Sequence, residues 1–502
     1  MYSRTVLALI AAAFLVVAST TAFGASVPLS YVNDREILVK FKPSAAVKSA
    51  SAFAARKGVS FVKTVPLSYA TIQKVRVSES DDFDAKLAEL DGDPLVEYAY
   101  PNVIKTPSHV PNDPYFLNGL PLGAFDVTDQ YALMLLDAVK AWDYSAGSES
   151  VVVAIVDTGI FMQHPDLASQ LWTKAGSGEH GYDFAVSPAV ADPSDKNPAT
   201  EWHGTSVAGI IGASTGNGVG IAGAAGGRGV AGQMGVRLMI VRVGTDTQIA
   251  VDAEVAGIDY AVQNGARVIN MSFGGPSGGT PEQSAMENAW NHGVVLCAAG
   301  GNVGANSVTG IDYPGAFPQV IAVGATTIFT AREPAPGTPT IAETLADFSK
   351  KGNEMEVVAP GVGILTTFHD SYTRDLNAGF AGTSASTPFV TALAALLIAV
   401  HPGWTNQQVR NEIDQSTIHM GAAGRNQEYG FGRIDYLTPF IIDGDTNVDR
   451  RVDDADVIPL VAGFGKMSGQ PAYSAAVDTN RDGVIDELDL FAVGRNYGQT
   501  QP

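Results

Sequence analysis

The chain has 502 residues, of which 45% are hydrophobic and 17% are charged, and its formal net charge is −21. This composition excludes a disordered or coiled-coil protein, and the glycines show no three-residue period, which excludes collagen. An acidic chain repels phosphate groups and anionic lipids, so we expect no nucleic-acid partner and no membrane-surface partner. At roughly 100–200 residues per domain, the length predicts about three structural units.

The N terminus has the pattern of a secretory signal peptide. Arg4 precedes an apolar run at 6–18, and small residues stand at Ala22 and Gly24. The run is shorter than the roughly 20 residues of a membrane-spanning helix. We therefore predict a signal peptide at 1–24 and a secreted, extracellular protein that has no membrane contact after its removal. The chain has one cysteine, Cys297, so we expect no internal disulfide.

Residues 33–102 have the pattern of a small α+β unit. Their periodicity predicts the order β-α-β-β-α-β, which is typical of a ferredoxin-like fold, with helices at 45–56 and 83–90. A proline-rich segment without periodicity follows at 103–113, and we interpret it as an exposed linker.

The segment 114–440 alternates apolar runs with helical patterns. Its predicted strands are 151–156, 238–243, 268–272, 294–298 and 320–323, and its predicted helices are 206–213, 250–263, 283–291 and 389–400. Near-continuous β-branched runs separated by helices predict an α/β domain with a doubly wound, mainly parallel sheet. In such a sheet, ligands bind at the carboxyl ends of the strands.

Three motifs at such positions carry candidate catalytic residues. Asp157 lies in IVDTG after a strand, His203 lies in HGTSVAG at a helix entry, and Ser384 lies in GTSASTP before an apolar helix. Taken singly, each also fits a cap, a turn or a solvated side chain. Ser386, in the same motif as Ser384, is the alternative candidate for either role, the catalytic residue or the helix cap.

Together the three motifs resemble the subtilisin family of serine proteases, the subtilases, whose chain order is also Asp, His, Ser. The resemblance covers nearly all of 112–440 and includes HPDL, VINMSFGG, VAPG and YGFGR. It implies a subtilisin-like fold and a secreted serine endopeptidase. Ser384 would be the nucleophile, His203 the base and Asp157 the group that orients the imidazole.

The resemblance also implies an oxyanion hole and a substrate-binding segment. Asn302 would supply the side-chain donor beside the backbone N–H of Ser384. The family usually has one glycine before this asparagine, whereas this chain has Gly300 and Gly301, so the extra residue either shifts the amide or is absorbed by a bulge. The segment expected to pair with extended polypeptide substrates contains Ser272, Phe273 and Gly274.

Two further features of the subtilases are implied. Asp113, Asp166 and Asn217 fall where the family has structural Ca²⁺ ligands, although each also fits a turn. Residues 33–102, with ILVKF and VEYAY, resemble the inhibitor-like propeptide. The enzyme would then be a zymogen that cuts itself within the linker, between 102 and 111. A permanent docking domain is the alternative for this block.

The C-terminal segment 443–498 contains an acidic repeat spaced by 33 residues. Oxygen-bearing side chains stand at loop positions 1, 3, 5, 9 and 12, the spacing with which a loop wraps Ca²⁺. Both copies resemble dockerin modules, which implies an EF-hand-like α domain and a cohesin-type partner. The predicted ligands are Asp445, Asn447, Asp449, Asp453 and Asp456 in the first copy and Asp478, Asn480, Asp482, Asp486 and Asp489 in the second.

Two alternative functions stay open at this point. A catalytically inactive scaffold displayed through the dockerin is favoured by the irregular glycine pair, and an adhesion module is favoured by the calcium repeat. Polypeptide substrates and the chain's own propeptide are the partners expected of the protease. The sequence alone does not indicate cleavage specificity.

Overall fold

The computed structural model describes residues 32–42, 49–66, 71–78, 80–103, 110–116, 130–197, 201–229, 233–303, 310–329, 339–372, 380–422, 424–441, 444–446, 452, 456–467, 474, 477–479, 484–486 and 489–496. The chain divides into two compact units, Met1–Ser108 and His109–Pro502. The predicted signal peptide at 1–24 lies outside the described residues, as does 104–109 of the predicted linker.

The first unit is a four-stranded antiparallel sheet with two helices. Its elements are β1 (Val32–Phe41), α1 (Ala50–Arg56), β2 (Ser60–Pro66), β3 (Thr71–Arg76), α2 (Phe83–Asp91) and β4 (Val96–Val103). The strands lie in the order β2-β3-β1-β4. Ile37 and Val39 of β1 are fully buried with Phe53 and Leu90 of the helices, because alternate residues of a strand share one face.

The second unit contains an eight-stranded mixed sheet. Its strands are β5 (Val152–Asp157), β6 (Gly181–Asp183), β7 (Arg237–Arg242), β10 (Val268–Met271), β11 (Val295–Ala299), β12 (Val320–Phe329), β13 (Pro339–Leu345) and β14 (Met355–Pro360). Two short hairpins lie outside this sheet. One pairs β8 (Gly244–Thr245) with β9 (Gln248–Ile249), and the other pairs β15 (Thr367–Phe368) with β16 (Ser371–Tyr372). The order is β13-β12-β11-β10-β5-β7-β6, and β14 pairs with β12. Only β13 runs antiparallel to its neighbour among these described strands.

The helices of this unit are α3 (Tyr131–Leu135), α4 (Ala138–Ala141), α5 (His203–Gly212), α6 (Val251–Gln263), α7 (Thr280–Asn291), α8 (Thr383–Val400) and α9 (Asn406–Gln415), with 3-10 turns at Ala168–Gln170 and Thr438–Phe440. Alternate residues of β5 enter two separate cores. Val153 and Ile155 pack on the side of α5 and α8, whereas Ala154 and Val156 pack on the side of α6 and α7. Covering both faces explains why the strands read as continuous apolar runs.

Helix α8 lies in the first of these cores. Among the described helices it is the one long and apolar enough to cross a membrane, but it is mostly buried inside the protein. It packs against β10, β11 and β12, and is therefore the core helix that the apolar run predicted. Cys297 of β11 is also buried and unpaired with another cysteine.

The C-terminal part of the second unit contains two short helices, α10 (Val457–Gly463) and α11 (Asp489–Asn496). They pack around a small apolar core of Val452, Leu460, Val477, Ile485 and Val493.

Candidate active site

The carboxyl ends of the parallel strands border a cavity of about 350 Å³. Asp157 is the last residue of β5, and His203 and Ser384 lie in the first turns of α5 and α8. All three side chains line this cavity. The fold thus brings together three residues that are separated by 46 and 181 positions in the sequence.

Asp157 and His203 are hydrogen-bonded. The distance from Asp157 Oδ1 to His203 Nδ1 is 2.8 Å, and the same oxygen accepts the backbone N–H of Thr158 at 2.8 Å. Asp157 is 1% exposed, and its Oδ2 has no hydrogen-bond partner in the described part of the chain. A proton on Nδ1 that is held by this carboxylate leaves Nε2 as the basic nitrogen of the imidazole.

A second carboxylate acts on His203. Burial of the imidazole lowers its pKa, but the charge and hydrogen bond of Asp157 and the charge of Asp246 together raise the pKa of His203 above its ordinary value. Asp246 follows β8, and its Oδ2 accepts the backbone N–H of Trp202 at 3.1 Å. Sequence reasoning missed Asp246 because it belongs to none of the three motifs.

The two candidate serines have different surroundings. Ser384 Oγ donates to the carbonyl of Ser272 at 2.7 Å. Among the described contacts, the Ser384 hydroxyl forms this hydrogen bond and none to His203. Ser386 is fully buried, and its Oγ donates to the carbonyl of Ala359 at 2.9 Å. Ser384 therefore lines the cavity and Ser386 does not. Hydrogen bonds between catalytic groups often tighten only when substrate is bound.

Asn302 lies beside the first turn of α8. Its Oδ1 accepts the backbone N–H of Thr383 at 3.0 Å and the Thr383 hydroxyl at 3.2 Å. These two bonds occupy the amide oxygen, which orients the amide nitrogen as a donor on its other side. The nitrogen lies close to Gly382, the residue that precedes α8.

The extra glycine before Asn302 has a structural reason. Gly301 has φ +101°, and a Cβ there would lie 2.1 Å from Asp312 Oδ2. Asp312 in turn forms a 2.7 Å ion pair with Lys350, whose backbone N–H donates to the carbonyl of Gly301. The second glycine is accommodated in a turn fixed by this pair, and Asn302 stays next to α8.

The predicted substrate-binding segment follows β10. Phe273 and Gly274 line the cavity with Ser272. Gly275 pairs with Tyr313 through two backbone hydrogen bonds of 2.8 and 2.9 Å. This pairing fixes one end of the segment at the wall of the cavity.

The three predicted calcium ligands that precede the C-terminal repeat lie together. Asp113 accepts the N–H groups of Gly216 and Asn217 at 2.7 and 3.2 Å, and Asp166 accepts the Asn217 amide at 2.8 Å. Both carboxylates are fully buried. Burial raises the pKa of Asp113 to about 6, helped by the charge of Asp166, and burial also raises the pKa of Asp166. Neither is paired with a Lys or Arg among the described ion pairs, so a bound cation would compensate the charge of the two buried carboxylates.

The C-terminal repeat is only partly described. Asn447, Asp449, Asp453, Asn480 and Asp482 lie outside the described residues. Asp445, Asp456, Asp478 and Asp489 are buried to 1% exposure or less, and Asp486 is partly buried. Equivalent threonines donate to equivalent aspartates in the two copies, Thr446 to the carbonyl of Asp456 and Thr479 to that of Asp489.

Two other acidic residues of the cavity were not predicted. Glu254 of α6 and Glu282 of α7 line it together with Asp246. The signal in the sequence is faint, because a glutamate in the first turn of a helix is an ordinary feature. Only the fold shows that these two helix starts meet at the same cavity.

The profile of the Subtilase family matches residues 148–432. The profile of the Fervidolysin N-terminal prodomain matches residues 18–102 and so begins inside the predicted signal peptide.

Several known proteins are similar in sequence to this chain. A thermophilic serine proteinase of Bacillus sp. (strain AK1) is 33% identical over 401 residues, which cover 79% of this chain and 85% of the relative. Subtilisin E of Bacillus subtilis (strain 168) is 34% identical over 61% of this chain and 69% of its own length. Halolysin of Haloferax mediterranei is 32% identical over 74% of this chain and 62% of its own length.

Proposed function

This chain belongs to the subtilase family, and from that premise we propose that its peptidase activity is carried by Asp157, His203 and Ser384. The protein is a subtilisin-like serine endopeptidase with an N-terminal prodomain. The observation that best supports the residue assignment is the 2.8 Å bond between Asp157 and His203 in a cavity that Ser384 also lines.

The residues of the proposed triad have separate tasks. A neutral serine hydroxyl is a weak nucleophile, so His203 Nε2 removes the Ser384 proton as Oγ attacks the carbonyl carbon of the scissile peptide bond. The imidazolium then gives that proton to the leaving amine, and water hydrolyses the resulting acyl-enzyme. Asp157 holds the proton on Nδ1 and stabilises the imidazolium.

The tetrahedral intermediate carries a negative oxygen that needs fixed donors. The backbone N–H of Ser384 has no intrahelical acceptor, because it lies in the first turn of α8. Asn302 Nδ2 is the second proposed donor, oriented by the two bonds that Thr383 donates to its oxygen. Donors that are fixed before the reaction need no reorganisation during it.

The prodomain makes the protein a zymogen. We assign the self-cleavage to the linker between residues 102 and 111, and we assign residues 1–24 to a signal peptide that exports the protein. These two assignments rest on the sequence pattern, since they fall largely outside the described residues.

Calcium is the proposed cofactor of two regions. Asp113, Asp166 and Asn217 would hold one ion with the carbonyls of Val219 and Ile221. A bound Ca²⁺ would neutralise the two buried carboxylates and fix the loop 216–221 to residues 113 and 166. The ion has no part in the hydrolytic step.

The second calcium region is the C-terminal repeat, which we assign to a dockerin-like module. The equivalent threonine–aspartate bonds of the two copies support an internal duplication. Val461, Phe464 and Met467 on and after α10 are at least 50% exposed, which supports an apolar docking face for a cohesin-type partner.

The proposed triad is tested by expressing the wild-type chain beside Ser384→Ala. The wild type should cut casein and shorten itself, and Ser384→Ala should do neither while keeping the same circular dichroism spectrum. An uncut casein and a full-length wild-type chain would favour the inactive-scaffold alternative.

A further inference from the structure

The cavity of the proposed triad has an acidic end. Its lining includes Glu254, Glu282 and Asp246, and it includes no Lys or Arg among the described residues. Glu254 lies in the first turn of α6, and Glu282 lies in the first turn of α7. These two helices pack against each other, so both carboxylates belong to one wall of the cavity.

Glu254 lacks a partner within the described part of the protein. The residue is 4% exposed, and its Oε1 is buried without a hydrogen bond. A buried carboxylate oxygen without a partner is costly, and proteins rarely keep one without a role. Because Glu254 lines the cavity, a ligand there is placed to supply the missing donor.

The positions of the two glutamates in helix starts do not explain this burial. Glu282 does stabilise its own helix, because its carboxylate accepts the N–H of Gly279 at 2.8 Å. A negative charge near a helix N terminus is also favourable when it is exposed to solvent, so this interaction does not require burial. Glu254 has no such capping bond and gains nothing from burial beside another acid.

The electrostatic state of the wall favours a cation. Burial, together with the charge of Glu282, raises the pKa of Glu254 to about 8. A positive charge in the cavity reverses both effects, since it stabilises the ionised carboxylate and offsets the repulsion between the two acids.

We propose that Glu254 and Glu282 form a subsite that binds the lysine or arginine side chain of a polypeptide substrate. This inference rests on the proposed function, because the same cavity is lined by Ser384 and His203. A long basic side chain can reach from a backbone held along Phe273 and Gly274 to a wall of the cavity. The enzyme would then favour cleavage sites with a basic residue at one position near the scissile bond.

A divalent cation is the other occupant that two carboxylates suggest. The described residues contain no group of three or more His, Cys, Asp and Glu side chains that could hold a metal ion. Two carboxylates alone supply too few oxygens for calcium, which takes 6–8. The position of this buried pair at the wall of a substrate cavity therefore favours a side chain of the substrate.

The test compares cleavage of matched peptides by the mature enzyme. In a positional set, one residue at a time on either side of the cleaved bond is arginine or its neutral isostere citrulline, and kcat/KM is measured for each. At one position arginine should be favoured by about tenfold or more, the equivalent of one charge-assisted hydrogen bond. In Glu254→Gln that ratio should fall toward one.

Glu287→Gln is the matched control, because Glu287 lies on the exposed face of α7, the helix that also carries Glu282. This variant should keep the preference for arginine over citrulline. The subsite is overturned if arginine has no advantage at any position, if Glu254→Gln leaves the ratio intact, or if EDTA abolishes the ratio and Ca²⁺ restores it. Those results would leave the proposed peptidase standing. A wild type that cuts no peptide in the set would overturn both.

Discussion

The protonation of His203 depends on two carboxylates, and only one of them touches it. Asp157 binds Nδ1, whereas Asp246 binds the backbone of Trp202 and acts on the imidazole through its charge. Both negative charges stabilise the imidazolium, which is the inactive form of a general base. The pH at which activity appears therefore reports on Asp246 as well as on Asp157.

Replacement of Asp246 by Asn should move the acidic limb of the pH profile to lower pH. Asp246 contributes to raising the pKa of His203, so its loss lowers that pKa and the neutral imidazole forms earlier as pH rises. The measurement is kcat/KM for one peptide over the acidic range. A limb that stays in place, or moves to higher pH, would contradict the assignment.

Asn302→Ala should lower kcat by about 10²–10³ and change KM little, because the amide stabilises an oxygen that becomes negative only during the reaction. Thr383→Val is the matched variant, since it removes the hydroxyl that donates to Asn302 but keeps the backbone donor. A smaller loss is expected there. Equal losses in kcat and in binding for Asn302→Ala would indicate a structural role instead.

At the scale of single residues, the sequence predicted the three candidate catalytic side chains but not their surroundings. The family resemblance assigned the nucleophile to Ser384 and left Ser386 as its rival; in the structure Ser386 is fully buried, whereas Ser384 lines the cavity. Asp246 and Glu254 could not be predicted, since each joins the cavity through contacts between elements that are distant in the chain.

At the scale of elements, the loop 216–221 shows why calcium and pH should act together on stability. The carboxyls of Asp113 and Asp166 are buried and their pKa values are raised. Between the ordinary pKa of 3.8 and the folded value of about 6 for Asp113, the unfolded chain binds fewer protons than the folded chain. Without metal, this group therefore costs stability as pH rises through that window.

Stabilisation by Ca²⁺ should accordingly grow as pH rises through about 6. The measurement is the Tm in Ca²⁺ minus the Tm in EDTA, at about pH 5 and about pH 8, on a Ser384→Ala background that prevents self-digestion. Asp113→Asn should reduce the difference in Tm between Ca²⁺ and EDTA at the higher pH. Any calcium-dependent increase in Tm that this variant keeps comes from other calcium sites. A calcium effect that is equal at both values, or larger in acid, would argue against this site.

Strands and helices were the easiest elements to predict. The apolar runs at 151–156 and 294–298 became β5 and β11 with a shift of one residue, because buried parallel strands must be apolar on both faces. Helix starts were less well predicted: the run at 389–400 marked only the later turns of α8, which begins at Thr383 with polar residues. Those polar turns include Ser384.

At the scale of the whole molecule, the proposed catalytic machinery and its two cores lie before residue 441. The C-terminal helices have a small core of their own. Removal of 441–502 should therefore leave kcat/KM for casein within about twofold of the value for the full chain. Loss of most of the activity would show that the C-terminal part supports the active site, and an adhesion function would instead vanish with this segment.

The sequence predicted the boundaries between blocks of the chain but not which blocks pack together. The sequence suggested separate blocks at 33–102, 114–440 and 443–498, and the structure groups the described parts of the last two in one compact unit, His109–Pro502. Composition changes mark where a chain changes character. They do not tell whether the neighbouring segments pack together, which depends on contacts between residues far apart in sequence.

The proposed reaction depends on one serine hydroxyl, activated by His203, which attacks the substrate. A fluorophosphonate reacts covalently with such a serine, and peptide mapping by mass spectrometry locates the modified residue. We expect a single adduct on Ser384 of the wild-type enzyme, and we expect this adduct to be lost in His203→Ala. An adduct on Ser386 or elsewhere, or a wild type that digests casein without being labelled, would contradict it.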